Sequence, residues 1–460
     1  MTDERRVATS DGVTSYTEKS AQLLADLAAT RSANGAAVGL AKRTSNLFRE
    51  RADRPRPRLD LSHFNCPLRV DRAAGVVEAE GMTTFEDLAD ATLAEGAMPA
   101  VVPQLKSITL GGAVAGVGIE ATSFRQGLVH DTITAMDILT GDGRIVSCTS
   151  DNEHRDLFHG FANSYGTLGY ALKLTARTVP VKRYVRVDHG AFAASSTFFD
   201  AVAKACRDGT ADFVDGVVFD RGALILSCGR FVDDAPYLSD YTYEHIYYRS
   251  LRERRVDYLT TRDYLWRWDT DWFWCSKNVG AQNPLLRRLF GRRHLNSVTY
   301  HKIMRWNARF RIMGTINRLR GAHTEAVIQD VDIPIGHAAE FLDFLHAEVG
   351  LLPIWICPIR PPDPATEATL YPLPKETLAI NFGFWDTVTS HEPRPPGEVN
   401  RKIERKVTEL GGVKSLYSDS YFTQDEFWSI YDRAAYSALK QRYDPGNRLG
   451  DLYAKCVLRK

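Results

Sequence analysis

Five glycines fall within the stretch Ser107-Ile-Thr-Leu-Gly111-Gly112-Ala-Val-Ala-Gly116-Val-Gly118-Ile-Glu120-Ala-Thr-Ser123-Phe-Arg-Gln-Gly127-Leu-Val-His-Asp131. Glycine lets main-chain N–H groups approach a ligand closely and takes up positive φ without steric cost, so this stretch suits a diphosphate and a flat ring system lying on backbone. The groups that would touch such a ligand are Ser107, Thr109, Gly111, Gly112, Gly116, Gly118, Ile119, Ser123, Gly127 and Asp131. Glu120 is the one carboxylate among the glycines of the stretch's centre. An apolar pocket there would raise its pKa and keep it protonated, as a general acid must be.

These residues need a frame. Thr134 to Leu139 and Arg144 to Thr149 alternate as strands around Thr140-Gly-Asp-Gly143, and Asn163-Ser-Tyr-Gly166-Thr-Leu-Gly169 feeds an alternating strand from Tyr170 to Val179. Gly169 and Tyr170 therefore join the ligand-facing set. The run Gly116-Val-Gly118-Ile-Glu-Ala121 spells the dinucleotide fingerprint G-x-G-x-x-A, but it continues into Thr-Ser-Phe-Arg-Gln-Gly127 with no helical periodicity. A Rossmann nicotinamide site needs a helix opening directly behind the glycines, so that reading is rejected.

At the amino-terminal end the pattern predicts an amphipathic helix over Ser20 to Arg31, a small-residue strand over Ala36 to Leu40 that includes Gly39, and a polar turn Ala41-Lys-Arg-Thr-Ser-Asn46. A strand over Gly75 to Glu80 and a helix over Thr84 to Glu95, capped by Thr84 and ended by Gly96, complete the first lobe. From Arg183 onward glycines thin out and aromatic residues crowd. A dozen Tyr, Trp and Phe lie between Tyr237 and Trp274. Most of these are expected in a core, while the alternations Trp266-Arg-Trp268-Asp and Trp272-Phe-Trp274, with Tyr264 and, further on, Trp355, suit the wall of a long apolar substrate tunnel. The next segment, Pro284-Leu-Leu-Arg-Arg-Leu-Phe-Gly-Arg-Arg293, mixes cations with bulky apolar residues at helical spacing. It suits a helix lying on an anionic membrane face, or equally a solvated charged helix.

Composition narrows the class. The 460 residues are 44% hydrophobic and 25% charged, enough for two cores. A net charge of +1 gives no support for nucleic-acid binding. Seven cysteines without C-x-x-C spacing favour a reduced cytoplasmic protein over a disulfide framework or a zinc site. No stretch reaches the roughly 20 apolar residues needed to span a bilayer, and a secretory signal is not expected.

The runs Val101-Val-Pro-Gln-Leu-Lys-Ser-Ile-Thr-Leu-Gly-Gly112, Gly118-Ile-Glu-Ala-Thr-Ser123, Asp156-Leu-Phe and Tyr165-Gly-Thr-Leu-Gly169 resemble the FAD domain of the vanillyl-alcohol oxidase and p-cresol methylhydroxylase (PCMH) superfamily. The segments Asn283-Pro-Leu-Leu-Arg-Arg-Leu-Phe-Gly291, Val327-Ile-Gln-Asp-Val-Asp-Ile-Pro334, Leu352-Pro-Ile-Trp-Ile-Cys-Pro358 and Asp425-Glu-Phe-Trp428 are similar to the Δ24-sterol reductase (Diminuto) branch, in the same order. The resemblance implies an α+β fold: a two-lobed PCMH-type FAD-binding domain over 1–182, an α+β substrate or cap domain over 183–410, and a segment 411–460 that returns to the first domain. It places the loop around the FAD diphosphate at Lys42, Arg43, Thr44, Ser45 and Asn46. With no histidine from Val38 to Asn46, the flavin is expected to be noncovalent.

In related enzymes an alternating strand brings a tyrosine to the flavin, and Leu416-Tyr-Ser-Asp-Ser-Tyr-Phe422 is similar to it. That makes Tyr417 a flavin contact and adds Tyr421 and Asp419 to Glu120 as candidate acids. A lysine can stand at the Ser420 position in the polyol-oxidising relatives; its absence here counts against an alcohol or sugar oxidase. The implied function is reduction of an unactivated lipid double bond with electrons from NADPH. Besides the sterol branch, the chain looks like the flavoproteins of tuberculostearate (10-methylstearate) synthesis, which turn a 10-methylene acyl chain into its 10-methyl product. That implies a lipid acyl substrate, an S-adenosylmethionine-dependent methyltransferase as partner, and peripheral contact with the inner membrane face. A sterol substrate, an FAD-dependent alcohol or sugar oxidase or dehydrogenase, and a lipid-binding protein without catalysis remain the alternatives.

Overall fold

The computed structural model describes residues 15–31, 39–41, 48–49, 58–310, 323–360, 370–374 and 376–460. Two antiparallel sheets organise it. The first runs Pro67–Asp71, Val76–Glu80, Tyr170–Pro180, Ile133–Leu139, Ile145–Cys148 in spatial order, with Ala97–Pro99 pairing the long Tyr170–Pro180 strand off this path. Every pairing within this sheet is antiparallel, which rules out the parallel βαβ unit of a Rossmann site around the glycine stretch on topology as well as on motif context.

The helix Phe85–Ala94 starts where Thr84 accepts a hydrogen bond from the Asp87 N–H and stops before Gly96, whose φ of 71° a side chain would resist. Between the sheet strands the glycine stretch is not a plain loop. Leu110–Gly116 is a helix with Leu110, Ala113 and Val114 buried, and Ser123–Gln126 forms a single further turn. The small residues that suggested a loop pack a short helix tightly against the sheet: a Cβ at Gly111 would stand 2.9 Å from the Gly81 carbonyl oxygen.

The second sheet begins at Tyr184. Its eight strands run Val256–Thr260, Tyr184–Phe192, Ala223–Val232, Phe213–Asp220, Ile354–Ile359, Ala379–Ser390, His323–Pro334 and Val413–Lys414. One face carries Val331, Ile356, Phe382 and Phe384 into a core with the helices Ser195–Asp208, Ala338–Phe344 and Glu398–Glu409. Because side chains alternate across a strand, Asp330, Trp355, Gly383 and Trp385 are left on the opposite face. The tail comes back to the first sheet: in the helix Arg433–Tyr443, Lys440 Nζ donates to the Thr167 carbonyl at 2.8 Å and Tyr443 donates to Asp156 at 2.7 Å.

The alternating segment Leu416–Phe422 is not a strand. Only Val413–Lys414 joins the sheet, and the chain then turns through Leu416 and Tyr417 to a single bridge between Ser418 and Phe48. Among the described residues, no helix is long and apolar enough to cross a membrane.

Candidate functional site

A cavity of about 440 Å³ lies between residues of the first sheet and the free face of the second. One wall is main chain. Gly39, Gly81, Thr109, Gly111, Gly112, Gly116, Gly118, Ile119, Gly166, Gly169 and Tyr170 line it. The close packing behind this wall depends on the lack of side chains: a Cβ on Gly81 would sit 1.9 Å from the Ala171 carbonyl oxygen, and one on Gly118 2.6 Å from Val129.

The facing wall is aromatic and follows from strand register. Across three neighbouring strands Trp355 pairs with Gly383 and Gly383 with Asp330, so the three form one row on the cavity face. Gly383 must be glycine for this to work, since a Cβ there would stand 2.7 Å from Asp330 Oδ1 and 2.6 Å from the Trp385 ring. Trp385, two residues on, packs on Phe273 with ring centroids 4.4 Å apart, and Phe273 reaches Trp355 at 5.6 Å. Phe48 stacks on Trp272 at 5.4 Å and meets Tyr417 edge-on at 5.8 Å.

Four residues on these walls, Val117, Tyr165, Trp272 and Phe273, hold positive φ without being glycine. Such backbone costs roughly 1–3 kcal/mol per residue and persists where surrounding structure forces it. Tryptophan and phenylalanine in succession at φ 45° and 59° turn both rings to the cavity.

The polar groups of the cavity are few and unequal. Arg49, Arg58, Lys455, Arg459 and Lys460 bring positive charge to its lining, whereas Asp330 is the one acid there among the described residues. The Arg49 guanidinium lies 4.8 Å over the Tyr165 ring, with its Nε and Nη2 buried and without hydrogen-bond partners among the described residues; Gln104 Nε2 is in the same condition. Buried donors without partners are rare and mark a place where something else accepts their hydrogen bonds. A diphosphate and the carbonyl-rich edge of a flavin ring supply acceptors of that kind, so the glycine wall and these donors fit FAD.

Asp330 Oδ1 is likewise buried and without a hydrogen-bond partner among the described residues. Burial pushes the Asp330 carboxyl up to about 7, opposed by the Tyr417 hydroxyl and the Asn381 amide. Tyr417 accepts a hydrogen bond from Trp385 Nε1 at 2.7 Å, which fixes the indole against the cavity.

Of the residues expected at the site, the structure brings Gly39, Thr109, Gly111, Gly112, Gly116, Gly118, Ile119, Gly169, Tyr170, Tyr417 and Trp355 to the cavity. Lys42, Arg43, Thr44, Ser45 and Asn46 lie outside the described residues. Ser107, Ser123, Gly127 and Asp131 are not on the cavity wall: Ser123 accepts from the Glu120 N–H at 3.1 Å, and Asp131 accepts from Leu128 N–H at 2.7 Å, closing the turn that Gly127 opens at φ 76°.

Glu120 points away from the cavity. Its carboxylate takes a hydrogen bond from Arg267 Nη2 at 2.9 Å, and the same nitrogen holds Asp215 at 2.8 Å. Burial raises Glu120 to about 7 while Arg267 pulls the other way. The acid environment expected for it is therefore present, but turned into the protein. Tyr421 and Asp419 are also off the wall; both meet Arg459, which donates to the Tyr421 hydroxyl at 3.2 Å and lies 3.4 Å from the Asp419 carboxylate.

Of the expected tunnel residues, Tyr264 supports the Arg267 guanidinium at 4.0 Å, Trp266 faces Lys106, and Trp268 stacks behind Phe273 at 4.7 Å. These three form a layer behind the wall, whereas Trp272, Phe273 and Trp355 line it. Trp355 is in turn held from behind, its Nε1 donating to Asp215 at 3.3 Å. The sequence reading missed Asp330, Arg49, Phe48 and Trp385. The period-2 pattern Val327-Ile-Gln-Asp-Val-Asp-Ile333 signalled a strand with an acid on one face, but not which cavity that face meets.

Comparison with known proteins agrees with this geometry. Residues 18–149 match the family model described as an FAD binding domain. The chain is 26% identical over 405 residues to the Delta(24)-sterol reductase of Homo sapiens, covering 84% of this chain and 75% of that protein. It is 25% identical over 442 residues to the Delta(24)-sterol reductase of Pisum sativum, covering 86% and 76%. A shorter likeness, 27% over 178 residues, covers 36% of this chain and 33% of Cytokinin dehydrogenase 1 of Oryza sativa subsp. japonica. The first sheet with its glycine wall is a PCMH-type FAD-binding domain.

Proposed function

We propose that this FAD-dependent oxidoreductase reduces an isolated carbon–carbon double bond of a lipid, with a 10-methylene acyl chain as substrate and NADPH as electron donor. The observation that carries the reading is Asp330: the one acid lining the cavity among the described residues, half-buried and raised to about 7, on the aromatic wall that faces the glycine wall. FAD, when bound and reduced, supplies the hydride.

An unactivated alkene has no carbonyl to polarise, so a proton must be delivered as the hydride arrives. The Asp330 carboxyl gives its proton to one alkene carbon, and positive charge develops on the more substituted carbon. The faces of Trp272, Phe273, Trp355 and Trp385 stabilise that charge and exclude water that would capture it. Proton plus hydride account for the two hydrogens gained. Asp330 is then reprotonated from solvent between turnovers. The glycine wall, Arg49 and Gln104 hold and orient the flavin. A methyltransferase that installs the methylene group acts before this step and is the expected partner. A sterol side chain is the second reading, favoured by the names of the relatives that match most of the chain.

The test is an anaerobic half-reaction. Protein reduced by NADPH is mixed with a 10-methylene phospholipid in detergent, with a Δ24-sterol, or with buffer, and flavin reoxidation is followed. Rapid reoxidation by the methylene lipid is expected. If reduced flavin ignores both alkenes while oxidised flavin is bleached by an alcohol, the protein is an oxidase and the reading is lost.

A further inference from the structure

Seven large hydrophobic residues are exposed among the described ones, and five of them, Tyr237, Leu238, Leu285, Leu286 and Leu289, belong to two segments that touch. Arg292 Nη2 reaches Asp240, and Arg287 Nε reaches the Tyr243 carbonyl, so the helix Pro284–His294 lies beside the Tyr237–Tyr243 segment. Leu285 is 72% exposed and Leu289 82%.

The helix is held in this orientation from below. Arg287 is 4% exposed, and both its terminal nitrogens meet the Asp271 carboxylate, at 2.7 and 2.9 Å. Residues two apart on a helix point roughly 200° apart, so anchoring Arg287 inward drives Leu285 and Leu289 outward, one turn from each other. Between and after them stand Arg288 and Arg293, both exposed, and the run Pro284–Asn296 contains no acidic residue. Gly291, at φ 64°, kinks the helix so that its last turn, Arg292–His294, splays from the leucine ridge. Isolated exposed leucines are ordinary, but a contiguous ridge rimmed by cations is not.

We propose that this ridge is a docking surface for an anionic lipid bilayer, with Leu285, Leu286 and Leu289 entering the acyl region and Arg288 and Arg293 meeting the headgroups. The apolar and cationic groups are in the arrangement an interfacial helix needs, and a helix already formed and pinned by a buried ion pair has little backbone entropy left to lose on binding. The inference stands apart from the reaction proposed above and is read without turnover.

The experiment is sedimentation of the full-length protein with phosphatidylcholine vesicles, with and without phosphatidylglycerol. The unaltered protein is expected to partition onto phosphatidylglycerol vesicles and to be released by salt. Leu285→Ser with Leu289→Ser lowers the partition coefficient by about a hundredfold, roughly tenfold for each leucine withdrawn from lipid, with thermal stability unchanged because both side chains are exposed. Arg288→Glu with Arg293→Glu removes the preference for phosphatidylglycerol, by at least about tenfold. Arg287→Glu instead lowers thermal stability, since it sets a carboxylate against buried Asp271. Failure of the unaltered protein to sediment overturns the proposal, as does sedimentation of the serine and glutamate variants equal to that of the unaltered protein. A concentration-dependent dimer abolished by the serine substitutions, with no vesicle binding, overturns it too and assigns the ridge to a second copy of the chain.

Discussion

The two walls of the cavity are built in opposite ways. The FAD-facing wall is backbone: its shape depends on side chains that are absent, at Gly81, Gly111 and Gly118, and it was readable as a run of glycines. The opposing wall is side chain, assembled from four distant stretches of sequence, with Phe48, Trp272 and Phe273, Trp355, and Trp385 meeting only in the fold. The first wall tolerates no addition, whereas the second depends on each ring being held by something behind it.

The largest expected effect comes from adding bulk to the backbone wall. Gly112→Leu places a side chain where the cofactor lies, and the purified protein is expected to be colourless while its circular dichroism matches the parent. The parent is expected to release intact FAD on denaturation; colour that stays with the unfolded chain would contradict noncovalent binding.

On the aromatic wall, Asp330→Asn keeps shape and removes the proton. FAD content and flavin reduction by NADPH are expected to be unchanged, while reoxidation by the alkene slows by about 10²- to 10⁴-fold, the usual worth of a positioned acid. Glu120→Gln, at a carboxylate turned away from the cavity, is expected to leave that step within a few-fold of the parent. The reverse result would return the role of acid to Glu120. The same Asp330→Asn protein tests linkage. Burial raises the Asp330 pKa from 3.8 to about 7, so across that window the folded state keeps a proton that the unfolded chain has lost. Stability therefore falls as pH rises through the window, and the asparagine variant, having nothing to ionise, shows a shallower fall in melting temperature. Asp332 and Glu404, raised by burial to about 6 and about 7, keep part of the slope.

Behind the aromatic wall, Arg267→Met strands Glu120 and Asp215 without their shared cation and costs about 3–5 kcal/mol in denaturant unfolding. Since Asp215 holds the Trp355 indole, alkene turnover is expected to suffer more than flavin retention. The smallest effect is expected from Tyr417→Phe. It leaves Trp385 Nε1 without its acceptor and costs about 1–3 kcal/mol, with FAD still bound.

Legibility followed the same division. Thr84 and Gly96 marked both ends of their helix, the strands around Gly141–Gly143 fell within a residue or two of their expected limits, and the glycine stretch identified one side of the site. These are local matters, decided by a few neighbouring residues. The segment from Leu416 to Phe422 alternates like a strand yet turns away after Lys414, because there the sheet ends and Phe48 takes up the next pairing. Trp266 and Trp268 looked no different from Trp272 in sequence. What separates them is the left-handed backbone at Trp272 and Phe273, which reverses the direction of the side chains and which nothing in their chemistry announces. Asp330 escaped notice because the environment of a carboxylate is defined by what surrounds it, here Gly383 and Asn381 of the neighbouring strand and Tyr417 of the segment beyond Lys414.

The meeting of Phe48 and Arg49 with the far end of the chain bears on how the protein is made. Phe48 N–H donates to the Tyr417 carbonyl, and Arg49 reaches the Cys456 thiol across 407 residues of sequence. A polypeptide emerging from a ribosome can pair the strands from Pro67 to Pro180 early, but these cavity contacts wait until Tyr417 and Cys456 have been made. Closure over so long a loop is slow, and the aromatic residues destined for the wall stay uncovered meanwhile. Cofactor capture must then come at the end of folding, so flavin supply would govern the yield of mature protein without guiding the nascent chain.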